Sequence, residues 1–181
     1  MIIIFTGNGK GKTTAALGQA VRALGRGKRV LIIQFIKNIE SGEHLFFKKI
    51  QAAGFKTKIK IIPAGKGFVK ILGDKFPLSE HKKAANNALK LAKKEILSGK
   101  WDLVILDEIN VAVSLKLIKA VDVLNIINPR ESTLCPHKSV FVLTGRGAPK
   151  NFIQKADLVT EMKEIKHPFK KGAQAQIGVE F

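Results

Sequence analysis

A glycine- and lysine-rich segment near the amino terminus has the composition of a phosphate-binding loop. Residues 6–14 read Thr-Gly-Asn-Gly-Lys-Gly-Lys-Thr-Thr, and they follow Met1–Phe5, an apolar run typical of a buried parallel strand. Glycines let successive backbone N–H groups converge on one anion, and the next helix adds its positive dipole end. Lys12 would add a full charge beside the phosphates, and the Thr13 hydroxyl could ligate Mg²⁺. The spacing is that of a Walker A loop, except that Thr6 replaces the usual first glycine.

An acid pair, Asp107 and Glu108, follows a second apolar run. The run is Leu103–Leu106, a predicted buried strand. Carboxylates at this point form a Walker B element, in which either residue could hold Mg²⁺ directly or through water. Two acids at the N-terminus of a helix are the alternative interpretation. Beside a phosphate loop, the acid pair predicts a site for a nucleoside triphosphate with Mg²⁺.

The two motifs lie in a chain of alternating strands and helices. The predicted strands are Met1–Phe5, Val30–Phe35, Lys58–Ile62, Leu103–Leu106 and Val140–Thr144, with closing strands at Leu158–Glu161 and Ala175–Phe181. The predicted helices are Thr13–Gly25, Leu78–Ser98 and Leu115–Ile127. This pattern indicates an α/β fold, a mostly parallel sheet with helices on both faces, of the RecA-like P-loop NTPase class. Ligands of such sheets bind beyond the carboxyl ends of the strands.

Composition limits the class of protein. The 181 residues are 45% hydrophobic, which suits one domain, residues 1–181, with a substantial core. The longest apolar run is far shorter than the roughly 18 residues of a membrane span, and no basic leader precedes it. We therefore expect no membrane segment, no secretory signal and a cytoplasmic location. The single cysteine, Cys135, excludes an internal disulfide framework and a cysteine-based zinc site.

The chain is strongly basic. It has 32 Lys and Arg against 14 Asp and Glu, a formal net charge of +18. Such a surplus suits nucleic acid or a small polyanion, and the segment from Lys48 to Lys75 is the most lysine-rich. However, the chain has no Tyr and a single Trp, Trp101, so the stacking platforms of single-strand binders are hard to build. A lysine-rich surface that maintains solubility is the favoured interpretation, and nucleic acid is not an expected partner.

Five segments in this order resemble one enzyme family. They are Thr6–Thr14, Val30–Lys37, Leu106–Glu108, Leu143–Gly147, and a tail from Lys166-His167-Pro168-Phe169 to Gln176–Glu180. Together they are similar to the P-loop ATP:corrinoid adenosyltransferases, which act on cob(I)alamin or cob(I)yrinic acid a,c-diamide in cobalamin biosynthesis or salvage. The resemblance implies that a Co(I) corrinoid attacks the 5′ carbon of ATP and displaces the whole triphosphate. No general base is needed, because this nucleophile carries no proton.

The resemblance also assigns site residues and partners. ATP would bind Gly7, Asn8, Gly9, Lys10, Gly11, Lys12, Thr13, Thr14 and Arg146. The catalytic residues would be Lys12, Thr13 and Glu108. The Mg²⁺ ligands would be Thr13 and Glu108, with Asp107 as the next candidate. The implied partners are a reduced corrinoid, an electron donor such as a flavoprotein reductase, and a second copy in a homodimer. His167 is interpreted as structural, because attack by Co(I) requires an empty axial position.

The sequence departs from the family at two places. Where relatives usually have Gly-Phe-Thr-Trp, with aromatics that pack on the corrinoid, this chain has Gly67-Phe68-Val69-Lys70. Phe68 would bind the corrinoid, with core packing as the alternative, and Lys70 predicts poorer activity or a preference for corrinoids without the lower base. Many relatives also begin with a helix before the first strand, so the contacts of that helix are not expected here. The segment Pro129–Lys138 is predicted to be a surface loop.

Three other functions fit parts of the sequence. A RecA-like nucleic-acid-dependent ATPase would release ADP and phosphate, with stimulation by DNA or RNA. A small-molecule kinase would need an arginine-bearing lid, whereas the arginines here are few and scattered. A nucleotide switch would show no turnover with a reduced corrinoid. Free triphosphate together with a cobalt–carbon bond distinguishes the adenosyltransferase from all three.

Overall fold

The computed structural model describes residues 1–54, 58–71, 73–127, 139–168, 172 and 174–179. Within these ranges the strands form one parallel six-stranded sheet in the order β3-β2-β4-β5-β1-β6. The strands are β1 (Ile2–Thr6), β2 (Val30–Gln34), β3 (Ile59–Pro63), β4 (Leu103–Asp107), β5 (Val140–Thr144) and β6 (Leu158–Glu161). The helices are α1 (Lys12–Gly25), α2 (Gly42–Ala52), α3 (Leu78–Leu97), α4 (Ile109–Ser114), α5 (Ala120–Ile127) and α6 (Lys150–Lys155).

Helices cover both faces of the sheet, which confirms the predicted α/β fold class. One face packs on α1 through Ala16 and Ala20, whose small side chains allow close approach of helix and sheet. The opposite face packs on α3, where Ala85, Ala88 and Ala92 are buried, and on α4, α5 and α6. The central strands therefore bury both faces, which is why their sequences are apolar throughout.

Strand register places three polar residues in one row at the carboxyl edge of the sheet. Gln34 pairs with Asp107 across β2 and β4, and the pairing of Leu106 with Leu143 brings Asp107 beside Thr144. Side chains alternate between the faces of a strand, and the residues two positions earlier pack on the α1 face. The row therefore faces the start of α1, directly after the phosphate loop.

Some predicted elements differ from the observed ones. The predicted helix Leu115–Ile127 is wrong in its first part, because α4 ends at Ser114 and Lys116 turns the chain with a left-handed φ of 56° before α5. The helices α2, α4 and α6 were not predicted. The closing strand Ala175–Phe181 is wrong over 175–179, where Gly178 lies in a turn, and residues 180 and 181 lie outside the described residues. Cys135 and the predicted loop 129–138 also lie outside them.

No helix in the described ranges is both long and apolar enough to cross a membrane.

Candidate functional site

The phosphate loop connects β1 to α1 and folds around the Lys12 side chain. Lys12 is the first residue of α1, is only 7% exposed, and donates from Nζ to the Gly9 carbonyl at 2.6 Å. Gly7 and Gly11 have φ values of 96° and 111°, a region that L side chains rarely adopt. The loop is therefore already curled, with its ammonium group inside it.

The segment after β6 supports this loop from behind. Gly9 N–H donates to the Met162 carbonyl at 2.7 Å, and Met162 N–H donates to the Thr6 carbonyl at 2.8 Å. A Cβ on Gly7 would lie 2.4 Å from the Met162 carbonyl oxygen, and one on Gly9 would lie 2.7 Å from the carbonyl oxygen of Lys163. Glycine is required at both positions by this close approach as well as by backbone conformation. No local sequence pattern indicates this support.

Asp107 is the buried centre of the site. Its side chain is 2% exposed, and its Oδ1 accepts hydrogen bonds from Thr13 Oγ1 at 2.8 Å and Thr144 Oγ1 at 2.6 Å. Its Oδ2 accepts one from Gln34 Nε2 at 3.3 Å. Burial raises the pKa of Asp107, and these three hydrogen bonds oppose the rise. Donors from α1, β5 and β2 thus converge on one carboxylate and fix its orientation.

Glu108 lies beside Asp107 in a left-handed backbone conformation, with φ 59°. Its N–H donates to Thr144 Oγ1 at 2.9 Å, and a Cβ on Gly145 would lie 3.0 Å from its Oε2. Burial and the neighbouring Asp107 raise the pKa of Glu108 to about 7, while the positive charges of Lys12 and Arg146 oppose the rise. Burial and the adjacent carboxylate thus disfavour the ionised form of Glu108 more than the neighbouring cations favour it.

The pKa of Lys12 is affected by burial as well as by Glu108 and Arg146. Burial lowers its pKa, the charge of Glu108 raises it, and the charge of Arg146 lowers it. These effects require Lys12, Glu108 and Arg146 to lie within electrostatic range of one another. The structure thereby brings together predicted residues from three separate segments of the chain.

The donors at this point fit Mg²⁺. Thr13 and the acid pair offer only oxygen ligands, and Mg²⁺ in nucleotide sites takes one or two carboxylates together with phosphates and water. The Thr13 hydroxyl hydrogen is directed at Asp107, which leaves its oxygen lone pairs for a cation. The described residues contain no group of three or more His, Cys, Asp or Glu that could hold a metal. Phosphates and water would therefore have to complete the coordination.

A second charged group, the Lys37 cluster (Lys37, Ser41 and Glu43), lies between β2 and the start of α2. Lys37 Nζ donates to Ser41 Oγ and to Glu43 Oε1, both at 2.8 Å. Burial opposes ionisation of Glu43, but hydrogen bonds from Lys37, Ser41 and its own backbone N–H lower its pKa to about 2. Sequence reasoning did not identify this cluster, although Lys37 ends a segment that carried the family resemblance.

The segment after β3 carries Phe68 to the same edge of the sheet. Its backbone is joined to the end of β2, because Gly65 N–H donates to the Lys37 carbonyl at 2.9 Å and Gly67 N–H to the Ile36 carbonyl at 2.8 Å. Phe68 is 69% exposed, so the alternative of core packing is wrong. The edge strand β3 is separated from β1 by β2, β4 and β5. Phe68 therefore lies at the same carboxyl edge as the phosphate loop, but at the opposite end of it.

Asp74 organises the turn that contains Lys70. It accepts hydrogen bonds from the backbone N–H of Lys70 at 2.8 Å and of Phe76 at 3.0 Å, and its Oδ1 lies 2.9 Å from His81 Nε2. These bonds, those from the backbone N–H groups first, lower the pKa of Asp74 to about 2. Lys70 has a left-handed φ of 57°. The turn holds exposed apolar side chains, those of Phe68, Ile71 and Phe76.

The remaining predicted residues surround the loop. Asn8, Lys10 and Thr14 are exposed along it, and Lys10 Nζ donates to the Val179 carbonyl at 2.6 Å, so the tail passes next to the loop. His167 is half-buried. Thr144, Gln34 and the Lys37 cluster are the residues of this edge that motif reasoning missed. Their polar side chains at strand ends were the available signal.

Comparison with known proteins gives a consistent result. The model of the ATP:corrinoid adenosyltransferase BtuR/CobO/CobP family matches residues 1–181. A corrinoid adenosyltransferase of Escherichia coli K12 is 33% identical over 188 residues, covering 100% of this chain and 85% of its own. One from Pseudomonas aeruginosa is 37% identical over 182 residues, covering 100% and 83%, and one from Sinorhizobium sp. is 37% identical, covering 100% and 80%.

A solved structure of a KaiC-like protein from Pyrococcus horikoshii OT3 covers 91% of this chain and 73% of its own, with a TM-score of 0.48 and 15% identity. The family model and the curated relatives both extend over the whole of the sequence. The chain belongs to the ATP:corrinoid adenosyltransferase family.

Proposed function

We propose that the protein transfers the 5′-deoxyadenosyl group of ATP to the Co(I) centre of a reduced corrinoid and releases triphosphate. Membership of the family supports this reaction, and so do the names of the relatives. The observation that carries it is the curled phosphate loop around Lys12, facing the acid pair at the edge of a parallel sheet. This arrangement suits a reaction in which negative charge develops on a polyphosphate.

The chemistry is a nucleophilic displacement at carbon. The electron pair of Co(I) forms the cobalt–carbon bond to C5′, the C5′–O bond breaks, and the triphosphate leaves with the bonding electrons. Cobalt is formally oxidised from Co(I) to Co(III). Charge therefore grows on the leaving oxygen in the transition state, and electrostatic groups placed there in advance lower the barrier.

The loop residues provide that stabilisation. Residues Gly7 to Thr14 bind the triphosphate, with the Lys12 ammonium as the principal cation and Arg146 as a second one. Mg²⁺, held by Thr13 and Glu108, with Asp107 as the next candidate ligand, would withdraw charge from the phosphate oxygens when bound. Since the nucleophile has no proton to lose, no side chain has to act as a general base.

In this proposal the corrinoid binds at the carboxyl edge of the sheet, at the end next to β3. Phe68 is exposed there beside two other apolar side chains, Ile71 and Phe76. The backbone of this segment is hydrogen-bonded to Ile36 and Lys37, just after β2, which supports placing both sites along one edge of the sheet. Lys70, where the family usually has Trp, removes one aromatic contact and favours corrinoids without the lower base.

Several partner assignments extend the proposal. A reductase such as a flavoprotein supplies the electron that makes Co(I), and two copies of the chain pair as a homodimer. Nucleic acid is not a partner, and the protein acts in the cytoplasm as one functional domain of residues 1–181. These statements rest on the resemblance and on composition.

An anaerobic assay with ATP, Mg²⁺ and chemically reduced cobalamin tests the reaction. We expect loss of the Co(I) absorption, a light-sensitive cobalt–carbon bond, and one triphosphate released for each corrinoid alkylated. A parallel reaction with DNA or RNA and no corrinoid should release no orthophosphate above background. Orthophosphate as the only product, with unalkylated cobalt, would contradict the proposal.

A further inference from the structure

Gln34 links the acid pair to the Lys37 cluster. It ends β2, is fully buried, and donates from Nε2 to Glu43 Oε1 at 3.1 Å and to Asp107 Oδ2 at 3.3 Å. An amide nitrogen carries two hydrogens, so one group can serve both carboxylates. Gln34 is thus a physical connection between a satisfied ion pair and the centre of the nucleotide site.

This connection has a cost in stability. The Oε1 atom of Gln34 is buried and has no hydrogen-bond partner within the described part of the chain. A buried acceptor without a partner loses its hydrogen bonds to water without replacement, which lowers stability. The rest of β2, Val30–Ile33, is apolar and fully buried, so an apolar residue would serve the core better. A polar residue at such a position indicates a role other than packing.

A neutral donor suits this position better than a cation. A Lys or Arg side chain against Asp107 would neutralise the carboxylate and repel Mg²⁺. An amide fixes the direction of the carboxylate while leaving its charge available. The nearby positive charge is on Lys37, which forms an ion pair with Glu43 and not with Asp107.

We propose that Gln34 is a positioning residue for the Mg²⁺–ATP site. Its amide holds Oδ2 of Asp107 while Thr13 and Thr144 hold Oδ1, so the carboxylate cannot rotate and the Thr13 oxygen stays directed at the metal. The Lys37–Glu43 pair anchors the other hydrogen of the same amide. The inference rests on the proposed function in that it assigns Mg²⁺–ATP to this edge.

The test measures binding without corrinoid. The affinity of ATP is determined with Mg²⁺ and in the presence of a chelator, and Mn²⁺ binding in the presence of ATP is followed by electron paramagnetic resonance. The variant Gln34→Met keeps the length and removes both hydrogen bonds. We expect a loss of roughly 10- to 100-fold in metal affinity, as for residues that orient metal ligands, and an unchanged affinity for metal-free ATP.

Two further variants make the result decisive. Gln51→Met changes an exposed glutamine on α2 outside the site and should leave all values unchanged. Glu43→Gln removes the anionic anchor while retaining Gln34 and Asp107, and should weaken metal binding in the same direction by a smaller factor. If Gln34→Met does not fold, Glu43→Gln decides the question.

Unchanged metal affinity in a folded Gln34→Met protein, or in Glu43→Gln where the first variant does not fold, would overturn the inference. The adenosyltransferase proposal fails separately. If wild-type protein binds Mg²⁺–ATP but forms no cobalt–carbon bond, the proposed function is wrong and the role of Gln34 still stands. If the variants alkylate the corrinoid normally and bind the metal with unaltered affinity, only the inference about Gln34 is wrong.

Discussion

Two half-buried acidic groups at the same edge of the sheet, Glu43 and Glu108, have pKa values shifted in opposite directions. Glu43 forms an ion pair with Lys37, and hydrogen bonds from Lys37, Ser41 and its own backbone outweigh burial, so its pKa is lowered to about 2. Glu108 forms no ion pair with any of the described residues, and burial together with Asp107 raises its pKa to about 7. The difference separates a carboxylate that the fold pairs with a cation from one whose ionised form the fold disfavours.

The contrast distinguishes charges that are balanced within the protein from charges that are not. The Lys37 cluster stabilises the turn from β2 into α2, and its charges are balanced within the protein. The acid pair is destabilised in the free protein, and perturbed pKa values of this kind concentrate at functional sites. In the proposed function, a cation bound together with the nucleotide would relieve this destabilisation.

The largest expected effect comes from removing the cation that faces the acid pair. Lys12→Ala takes away the charge next to the leaving triphosphate, and activity should fall on the order of 10²-fold or more, together with ATP binding. The turnover number and the ATP affinity of the variant measure these two losses. The control is Lys28→Ala, which removes the same charge from an exposed residue. Full activity in Lys12→Ala would overturn the assignment of the loop.

Neutralising each acid in turn should affect stability in opposite directions. In ligand-free protein at pH 8, Glu43→Gln leaves Lys37 without its carboxylate and should lower the free energy of unfolding by about 1–3 kcal/mol. Glu108→Gln removes repulsion from Asp107 and should raise it, while weakening Mg²⁺–ATP binding. Chemical denaturation measures both. Equal destabilisation by the two variants would remove the distinction between the regions.

The pH dependence of stability should differ in the same way. Glu108 binds its proton more tightly when folded, with a pKa of about 7 against an ordinary 4.5, so stability falls as pH rises through this window. Glu43 has the reverse sign, since its stabilisation is present above about 4.5 and lost as pH falls toward 2. The difference in unfolding free energy between wild type and Glu108→Gln, measured from pH 4 to 8, should grow with pH. A flat difference would contradict the raised pKa.

The smallest expected effect lies away from both acids, in the turn that carries Phe68. Lys70→Trp restores the aromatic residue of the family and should raise activity with complete cobalamin roughly two- to tenfold, the value of one aromatic contact. ATP affinity should stay the same, because the turn lies on the far side of the edge from the loop. No change in activity would mean that position 70 does not contact the corrinoid.

Local sequence patterns predicted those strands and helices whose apolar residues follow a regular spacing. Apolar runs predicted the strands β1, β2, β4 and β5 to within one residue, because strands buried on both faces are apolar throughout. The helix α2 was missed because its apolar side chains are divided, with Phe47 buried but Leu45 and Phe46 exposed, which blurs the helical period. The tail was predicted as a strand on composition alone, and residues 175–179 form none.

The site was predictable only where motif spacing identifies it. The loop and the acid pair follow from the types and spacing of Lys12, Thr13, Asp107 and Glu108. Gln34 and Thr144 join them through strand register, which brings residues 73 and 37 positions apart in sequence into hydrogen-bond contact with Asp107. Support of the loop by Met162 is likewise a long-range contact with no local pattern.

The ionisation of Glu108 tests the central claim most directly. Carboxyl carbon NMR of selectively labelled protein, with Glu108→Gln to assign the resonance, gives its pKa with and without Mg²⁺–ATP. The account predicts a value near 7 in the free protein and a large downward shift when Mg²⁺–ATP is bound. An ordinary pKa in the free protein, or one that Mg²⁺–ATP leaves unchanged, would contradict it.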